Sequence, residues 1–288
     1  MTAPRVSFEF FPPKSLEGSF RLWDTVHALA PLGPRFVSVT YGAGGTTRKL
    51  TREAVGTLYQ ATGLNVAAHL TCVDATRAET LAIADEFAAA GVREIVALRG
   101  DAPKGTGGFK PHPDGYSDSC ALIEALAARG DFTIRVGAYP EPHPEAADND
   151  ADVAWLKRKF EAGADEAITQ FFFSADTFLR FRDRCAAAGI DKPILPGILP
   201  IENWPNARRF ATACGATIPT WLDNAFETAE RDGRTELLAT AIATELCSRL
   251  IDEGVEDLHF YTLNRPELTR DICHALGVTP KVALRDVA

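Results

Sequence analysis

The 288-residue chain is predicted to fold as one α/β domain, a single (β/α)8 barrel of the TIM type that takes up residues 1–288. Eight short segments rich in β-branched and aromatic residues alternate with helical segments, a pattern typical of parallel strands joined by right-handed crossovers. Eight strands close such a barrel, and about 250 residues is a common length for one. No low-complexity stretch or run of charges marks a boundary between domains.

The strands are nearly continuous apolar runs, as expected where both faces of a sheet are buried. They are predicted at Val6–Phe11, Phe36–Thr40, Val66–Leu70, Glu94–Leu98, Thr133–Ala138, Glu166–Gln170, Pro193–Ile198 and Leu258–Leu263.

The helices are recognised by apolar residues that recur at intervals of three or four, such as Leu22, Val26 and Leu29. Gly91 suits the end of one helix and Pro266 the first turn of another. Helices are predicted at Phe20–Leu32, Thr51–Thr62, Ala78–Ala90, Ser117–Arg129, Ala151–Ala162, Ser174–Ala188, Asn203–Ala213, Arg234–Glu253 and Pro266–Leu276.

Composition excludes several classes of protein. The net charge of -9 argues against long-range attraction to nucleic acid or to an anionic membrane. The six cysteines form no CxxC pair, which favours free thiols in a reducing compartment. There is no signal peptide and no apolar run of roughly 18 residues, so the expected location is the cytoplasm.

The first predicted strand carries a carboxylate, Glu9, inside an apolar run that ends at Pro12 and Pro13. A charge in such a run is costly unless it is paired or used. Glu9 is therefore either the partner of a structural arginine or part of an active site.

Polar residues also end the other predicted strands, at the rim where barrel enzymes hold their active sites. They are Thr40, Tyr41, His69, Thr71, Arg99, Asp101, Tyr139, Gln170, Tyr261, Asn264 and Arg265. Each has a structural alternative, since a lone histidine such as His69 is more often a hydrogen-bonded core residue. Gln170 is harder to explain structurally, because an amide among phenylalanines needs partners.

Binding motifs for phosphate and metal are incomplete. The glycine-containing segments 42–47 and 105–108 lack the full GxGxxG pattern, so no Rossmann site is predicted. His69, His143 and His259 lack the spacing of a metal site. One helix is predicted to present Trp155, Arg158 and Lys159 on one face and Val153, Leu156 and Phe160 on the other. The first face could bind an anion or simply face solvent.

Seven short motifs occur in order along the chain: FEFFPP at 8–13, VSVTYG at 37–42, HLTC at 69–72, ALRGD at 97–101, ITQFFF at 168–173, PGILP at 196–200 and FYTLNR at 260–265. Through them the chain resembles the methylenetetrahydrofolate reductase family in its single-domain bacterial type. The resemblance implies reduction of 5,10-methylenetetrahydrofolate to 5-methyltetrahydrofolate in one-carbon metabolism and methionine supply. It also implies tightly bound FAD, NAD(P)H as co-substrate, a ping-pong hydride transfer and a homo-oligomer without a regulatory domain.

The resemblance also assigns residues. It implies Glu9 as the general acid and Asp101 as a carboxylate near flavin and pterin. The implied substrate-binding residues are Gln170, Phe210, Tyr261 and Arg265. The implied FAD-binding residues are Thr40, His69, Arg99, Gly100, Asp101, Tyr116, Ser117, Tyr139, His143, Asp152, Trp155, Arg158 and Lys159. Trp155 and the loop 102–115 depart from the family pattern, and Trp155 would either stack on the adenine or cover it.

Two other functions stay open from the sequence. A metal-dependent or flavin-free barrel lyase could use Glu9 and Asp101 as acid and base. A folate-binding protein without turnover would need only the binding residues.

Overall fold

The computed structural model of the protein describes residues 3–41, 48–101 and 109–280. In these residues, nine parallel strands form one sheet that curls into a nearly closed barrel. The strands are β1 (Arg5–Phe10), β2 (Val37–Val39), β3 (Val66–Thr71), β4 (Glu94–Leu98), β5 (Thr133–Ala138), β6 (Glu166–Thr169), β7 (Ile194–Leu195), β8 (Gly197–Ile198) and β9 (Asp257–Tyr261). The predicted (β/α)8 architecture is confirmed. The segments 42–47 and 105–108, and the first part of the loop 102–115, lie outside the described residues.

The seventh predicted strand, Pro193–Ile198, is two strands, and this division closes the barrel. Pro196 separates β7 from β8 and has no N–H to donate to a ladder. β7 pairs with β6, whereas β8 pairs with β9 at the other end of the sheet. The Pro196 carbonyl accepts a hydrogen bond from the backbone N–H of His259 at 3.0 Å. One short segment therefore joins the two edges of the sheet.

Helices surround the barrel, and one of them was not predicted. They are α1 (Leu16–Leu29), α2 (Arg48–Thr62), α3 (Arg77–Ala89), α4 (Ser119–Ala127), α5 (Asn149–Glu161), α6 (Ala175–Ala187), α7 (Trp204–Cys214), α8 (Thr220–Arg231), α9 (Thr235–Asp252) and α10 (Pro266–Ala275), with a 3-10 turn at Ala30–Leu32. The helix missing from the sequence prediction is α8. Its start at Pro219 has no side-chain cap, but Leu222, Phe226 and Ala229 are buried at helical spacing and were a usable signal.

The two faces of the sheet differ in chemistry. Outward-facing residues such as Phe8, Phe10 and Leu70 belong to a large apolar core shared with the helices. The inward-facing apolar cluster is small, consisting of Phe36, Ala67, Val96, Ile168 and Leu195. The remaining inward positions are mostly polar, which makes the interior of this barrel suited to chemistry rather than to packing alone.

The pairing register arranges the inward-facing side chains in layers of four from alternate strands, as is usual in such barrels. Between alternate strands the layer advances by two residues, which brings Glu9 of β1 and His69 of β3 within 3.3 Å of each other. The layer of this pair holds Glu9, His69, Gly137 and Gly197. The layer below it holds Ser38, Val96, Ile168 and His259.

Ion pairs fill the opposite end of the barrel, at the amino ends of the strands. The buried Arg135 pairs with Glu94 at 2.5 Å and with Glu166 at 2.9 Å. Arg35 pairs with Glu166 and with Asp257. In barrels of this type this end usually contributes to stability, and the active site lies at the other end.

Two sequence-based predictions concern the chain as a whole. All six cysteines are free thiols, as predicted. Among the helices of the described residues, none combines the length and apolarity needed to span a bilayer.

Candidate active site

A cavity of about 540 Å³ opens at the carboxyl ends of β3, β4 and β5 and reaches α5. Its size lies within the roughly 300–1,000 Å³ of small-molecule sites. Most of the predicted cofactor residues line it, namely Arg99, Gly100, Asp101, Ser117, Tyr139, His143, Asp152, Trp155 and Lys159. Thr40, His69, Tyr116 and Arg158 do not line it. We call this space the first cavity.

The floor of the first cavity is kept open by Gly137 near the carboxyl end of β5. A methyl group there would stand 3.6 Å from Leu98 Cδ2, an ordinary contact that would occupy cavity space. The Gly137 carbonyl accepts a hydrogen bond from Lys159 Nζ at 2.7 Å. Burial lowers the pKa of Lys159 to about 8. The cavity therefore contains a cation that loses its charge just above neutral pH.

The predicted cationic face of α5 is wrong in one respect. Lys159 lies on the buried side of the helix with Val153 and Leu156, because its ammonium group reaches inward to the β5 carbonyl. Arg158 is exposed, and its guanidinium lies 4.5 Å from the centre of the Trp155 ring. Trp155 lines the cavity and thus stands between Arg158 and the cavity interior.

One wall is built around Tyr139. Its ring meets that of His143 edge to face at 4.7 Å, and the backbone N–H of His143 donates to Asp152 Oδ2 at 2.8 Å. Burial raises the pKa of Tyr139 to about 12, and the nearby carboxylate of Asp101 adds to the shift. Tyr139 is therefore a neutral phenol at physiological pH.

The turn after β4 brings backbone and charge to the opposite wall. Gly100 has φ +87°, and a Cβ there would lie 2.5 Å from Val73 Cγ1, so only glycine fits. Arg99 pairs with Glu145 at 2.6 Å, and this hydrogen bond lowers the pKa of Glu145. Asp101 is exposed at the rim and lines the cavity.

Thr71 supplies a hydrogen-bonding group that the protein itself does not use. Its hydroxyl is buried at the end of β3, lines the first cavity and has no partner among the described residues. An unpartnered buried hydroxyl is rare and marks a position where a ligand can bind.

Glu9 lies at the centre of the barrel mouth beside His69. Glu9 Oε2 is 3.3 Å from His69 Nε2, and the Glu9 side chain keeps 16% of its surface exposed. Among the described residues no arginine pairs with Glu9, and the ionisable side chain beside it is His69. Thr40, at the end of the next strand, uses its backbone to bond Phe10 and Thr51.

Gln170 and Tyr261 stand above Glu9 at the ends of β6 and β9. Gln170 Oε1 accepts from the backbone N–H of Phe171 at 3.0 Å. The Tyr261 hydroxyl donates to the Thr169 carbonyl at 2.6 Å. Burial raises the pKa of Tyr261 well above its usual value, and Glu9 contributes to the rise. Glu9 therefore lies within electrostatic reach of Tyr261.

A second cavity of about 360 Å³ lies on the β8–β9 side of the mouth. It is lined by Phe210 and Arg265, which were predicted to bind substrate. Phe210 is exposed and stacks on Phe171 with ring centres 5.2 Å apart, and Arg265 pairs with Glu202 at 2.8 Å. An exposed aromatic ring beside a cation suits a ligand with an aromatic and an anionic part.

Sequence reasoning missed several residues that shape these cavities. Gly137 is one of them, and a glycine inside a strand often indicates a close approach of a ligand. Asp118 caps α4 beside the first cavity and accepts from the backbone N–H groups of Cys120 and Ala121, a cap that its position before an apolar run could have predicted. The pairing of Glu145 with Arg99 left no local signal.

Comparison with known proteins assigns the chain to a group. The family model described as methylenetetrahydrofolate reductase matches residues 2–277. The 5,10-methylenetetrahydrofolate reductases of Salmonella typhimurium and Escherichia coli are each 49% identical over 277 residues, covering 96% of this chain and 91% of the relative. A solved protein of Clostridium thermocellum, described as binding two copies of 5-methyl-5,6,7,8-tetrahydrofolic acid, has a TM-score of 0.59 at 14% identity, covering 96% of this chain and 95% of its own. At that identity, it supports the fold alone.

Proposed function

Because the chain belongs to the methylenetetrahydrofolate reductase family, we propose that it reduces 5,10-methylenetetrahydrofolate to 5-methyltetrahydrofolate with FAD and NAD(P)H in a ping-pong cycle. The proposal goes beyond family membership in naming the cofactor, the electron donor and the order of events. NAD(P)H and the folate would use the same barrel mouth in turn.

The first cavity suits FAD on three grounds. The Thr71 hydroxyl is buried there without a protein partner among the described residues, and flavin rings carry several hydrogen-bonding atoms. Gly137 leaves the floor open to a flat ring system. Arg99 and Lys159 are cations that suit a diphosphate. When bound, FAD would carry hydride from NAD(P)H to the folate.

Trp155 and Tyr139 would bound the cofactor at the α5 end. Trp155 offers an aromatic face in the cavity wall, and Arg158 holds the outer side of that ring. Tyr139, neutral because its pKa is raised to about 12, could donate one hydrogen bond without adding charge. Neither Thr40 nor His69 lines the cavity, so we expect them to act through the Glu9 end of the site.

Glu9 carries the proposed proton transfer. As the five-membered ring of the folate opens, the Glu9 carboxyl would give its proton to the departing folate nitrogen and leave a cationic iminium. The Glu9 carboxyl lies in the barrel mouth 3.3 Å from His69 Nε2. Asp101 at the rim would stabilise the iminium charge. Gln170 would bind the pterin edge, and Phe210 and Arg265 would hold the remainder of the substrate in the second cavity.

The observation that carries the proposal is the placement of Glu9, a partly exposed carboxyl group near Tyr261 in the mouth of the barrel, with ligand-sized cavities beside that mouth. The test is Glu9→Gln, with the exposed Glu53→Gln on α2 as the matched control. We expect Glu9→Gln to bind FAD and to be bleached by NADH at the wild-type rate. We expect its reoxidation by methylenetetrahydrofolate to slow by about 100-fold or more.

Three results would contradict the proposal. Normal folate reduction by Glu9→Gln would remove its role as the acid. A colourless purified protein whose activity depends on a divalent metal would favour the barrel lyase instead. Bleaching by NADH without reoxidation by the folate in the wild-type protein would indicate a binding protein.

A further inference from the structure

The layer of side chains beneath Glu9 contains two polar atoms that the protein leaves unpartnered. Ser38 is fully buried on β2, and its Oγ has no hydrogen-bond partner among the residues described. His259 on β9 is also fully buried, and its Nε2 likewise has no hydrogen-bond partner among the described residues. Buried polar atoms without a partner cost free energy, and natural proteins usually satisfy them with ordered water.

His259 is fixed in orientation by its other neighbours. Its Nδ1 is 2.8 Å from Ser7 Oγ, so the ring edge bearing Nε2 faces away from that bond. Phe36 stacks on the ring with centres 5.5 Å apart, and Tyr261 meets it edge to face at 5.4 Å. These contacts leave the imidazole little freedom to turn Nε2 toward another partner.

The register brings the two unpartnered atoms to the same level of the barrel. Ser38 pairs in register with Glu9, and His259 pairs with Ser7, two residues earlier on β1. With the two-residue advance between alternate strands, Ser38 and His259 share one layer, and Glu9 and His69 belong to the layer above. The other members of the lower layer, Val96 and Ile168, are apolar and offer no competing partner.

The pair above is also incompletely bonded. His69 Nε2 is within 3.3 Å of Glu9 Oε2, but its geometry is not that of a hydrogen bond, and the atom is buried. His69 also interacts electrostatically with His259. A small polar molecule between the layers would therefore meet several hydrogen-bonding groups, and an internal water typically makes about three such bonds.

We propose that one ordered water molecule binds inside the barrel between Ser38 Oγ and His259 Nε2 and extends the hydrogen bonding up to the Glu9–His69 pair. Ser38 and His259 are then positioning residues that hold the Glu9 carboxyl through this water. The water site depends on the geometry alone, whereas the positioning effect rests on the proposed role of Glu9 as the acid.

The water site is tested by crystal structures of the wild-type protein and of Ser38→Ala at a resolution that shows ordered water. We expect wild-type density within about 2.7–3.2 Å of both Ser38 Oγ and His259 Nε2, and its loss or displacement in Ser38→Ala. A dry layer, or a direct hydrogen bond between the two side chains, overturns the proposal. This result stands whether or not the protein reduces folate.

The positioning role is tested by kinetics on the same variant. In Ser38→Ala we expect kcat for folate reduction to fall about tenfold, because small displacements of a catalytic group are costly. KM for the folate and the rate of bleaching by NADH should stay within about twofold of wild type. The control is Ile168→Val, which removes one methyl group from the same layer and no polar atom, and should keep wild-type kcat. If Ser38→Ala keeps wild-type kcat, or if both variants lose it equally, the positioning role is overturned.

Discussion

Gly197 in β8 is expected to be intolerant of a side chain for steric reasons. A Cβ at this position would lie 2.2 Å from the Thr169 carbonyl oxygen and 2.6 Å from Tyr261 Cε2. The first distance involves backbone, which cannot move aside as the end of a flexible side chain can. Gly197→Ala must therefore move the backbone of β8 away from Thr169 and displace the Tyr261 ring.

The expected cost has two parts. Overpacking of this kind typically costs about 1–3 kcal/mol. Displacing Tyr261 also breaks its 2.6 Å hydrogen bond to the Thr169 carbonyl. The buried hydroxyl and carbonyl then lack a partner, which destabilises the fold by about 1–3 kcal/mol more. The sum of about 2–6 kcal/mol corresponds to a fall in Tm of roughly 3–10 °C for a chain of this size.

The measurement is thermal unfolding of Gly197→Ala beside Gly137→Ala. Gly137 is the matched control because a Cβ there meets only Leu98 Cδ2, at 3.6 Å. We expect Gly137→Ala to unfold near the wild-type temperature but to bind FAD more weakly, since the methyl group occupies the cavity floor. Equal Tm values for the two variants would refute the steric argument.

The three remaining predictions concern two charged residues, Lys159 and Arg135. Burial lowers the pKa of Lys159 to about 8, so the FAD dissociation constant of the apoprotein should be constant below pH 8 and rise above it by up to about tenfold per pH unit. The Lys159→Met variant should bind FAD weakly at every pH, with no such rise. A wild-type pH profile in that variant would contradict the role of the ammonium group. In the unfolded chain Lys159 keeps the ordinary pKa of 10.5, so between pH 8 and 10.5 the unfolded state binds more protons than the folded state. The contribution of Lys159 to the free energy of unfolding should therefore increase from pH 8 upward. Urea titrations of the wild type and of Lys159→Met over this pH range measure the effect. Arg135→Met should destabilise the fold by about 3–5 kcal/mol because Glu94 loses its buried partner. FAD affinity should not change, because Arg135 lies at the opposite end of the barrel. Unfolding midpoints in urea equal to those of the wild type, or a loss of FAD affinity, would contradict this prediction.

The fold class and the principal candidate residues could be read from the sequence, because they depend on local patterns. Apolar runs of strand length, alternating with helical periodicity, predicted the barrel, and Glu9 was recognisable as a charge within such a run. The strand-end position of His69 and Asp101 also followed from local order. The motifs that implied the family lie in the same strand ends, so the family resemblance and the barrel reading drew on the same residues.

Contacts across the barrel were decided by the tertiary structure. Pro196 lies within the single strand predicted at Pro193–Ile198, and nothing local showed that the halves beside it pair with β6 and β9 and so close the sheet. Among the described residues Glu9 lies beside His69, and Lys159 turns inward to a β5 carbonyl. The periodicity of the sequence determines which face of its own helix or strand a residue occupies. Which residues of other strands it contacts depends on the stagger of the strands and on the closure of the barrel, and both involve the whole chain.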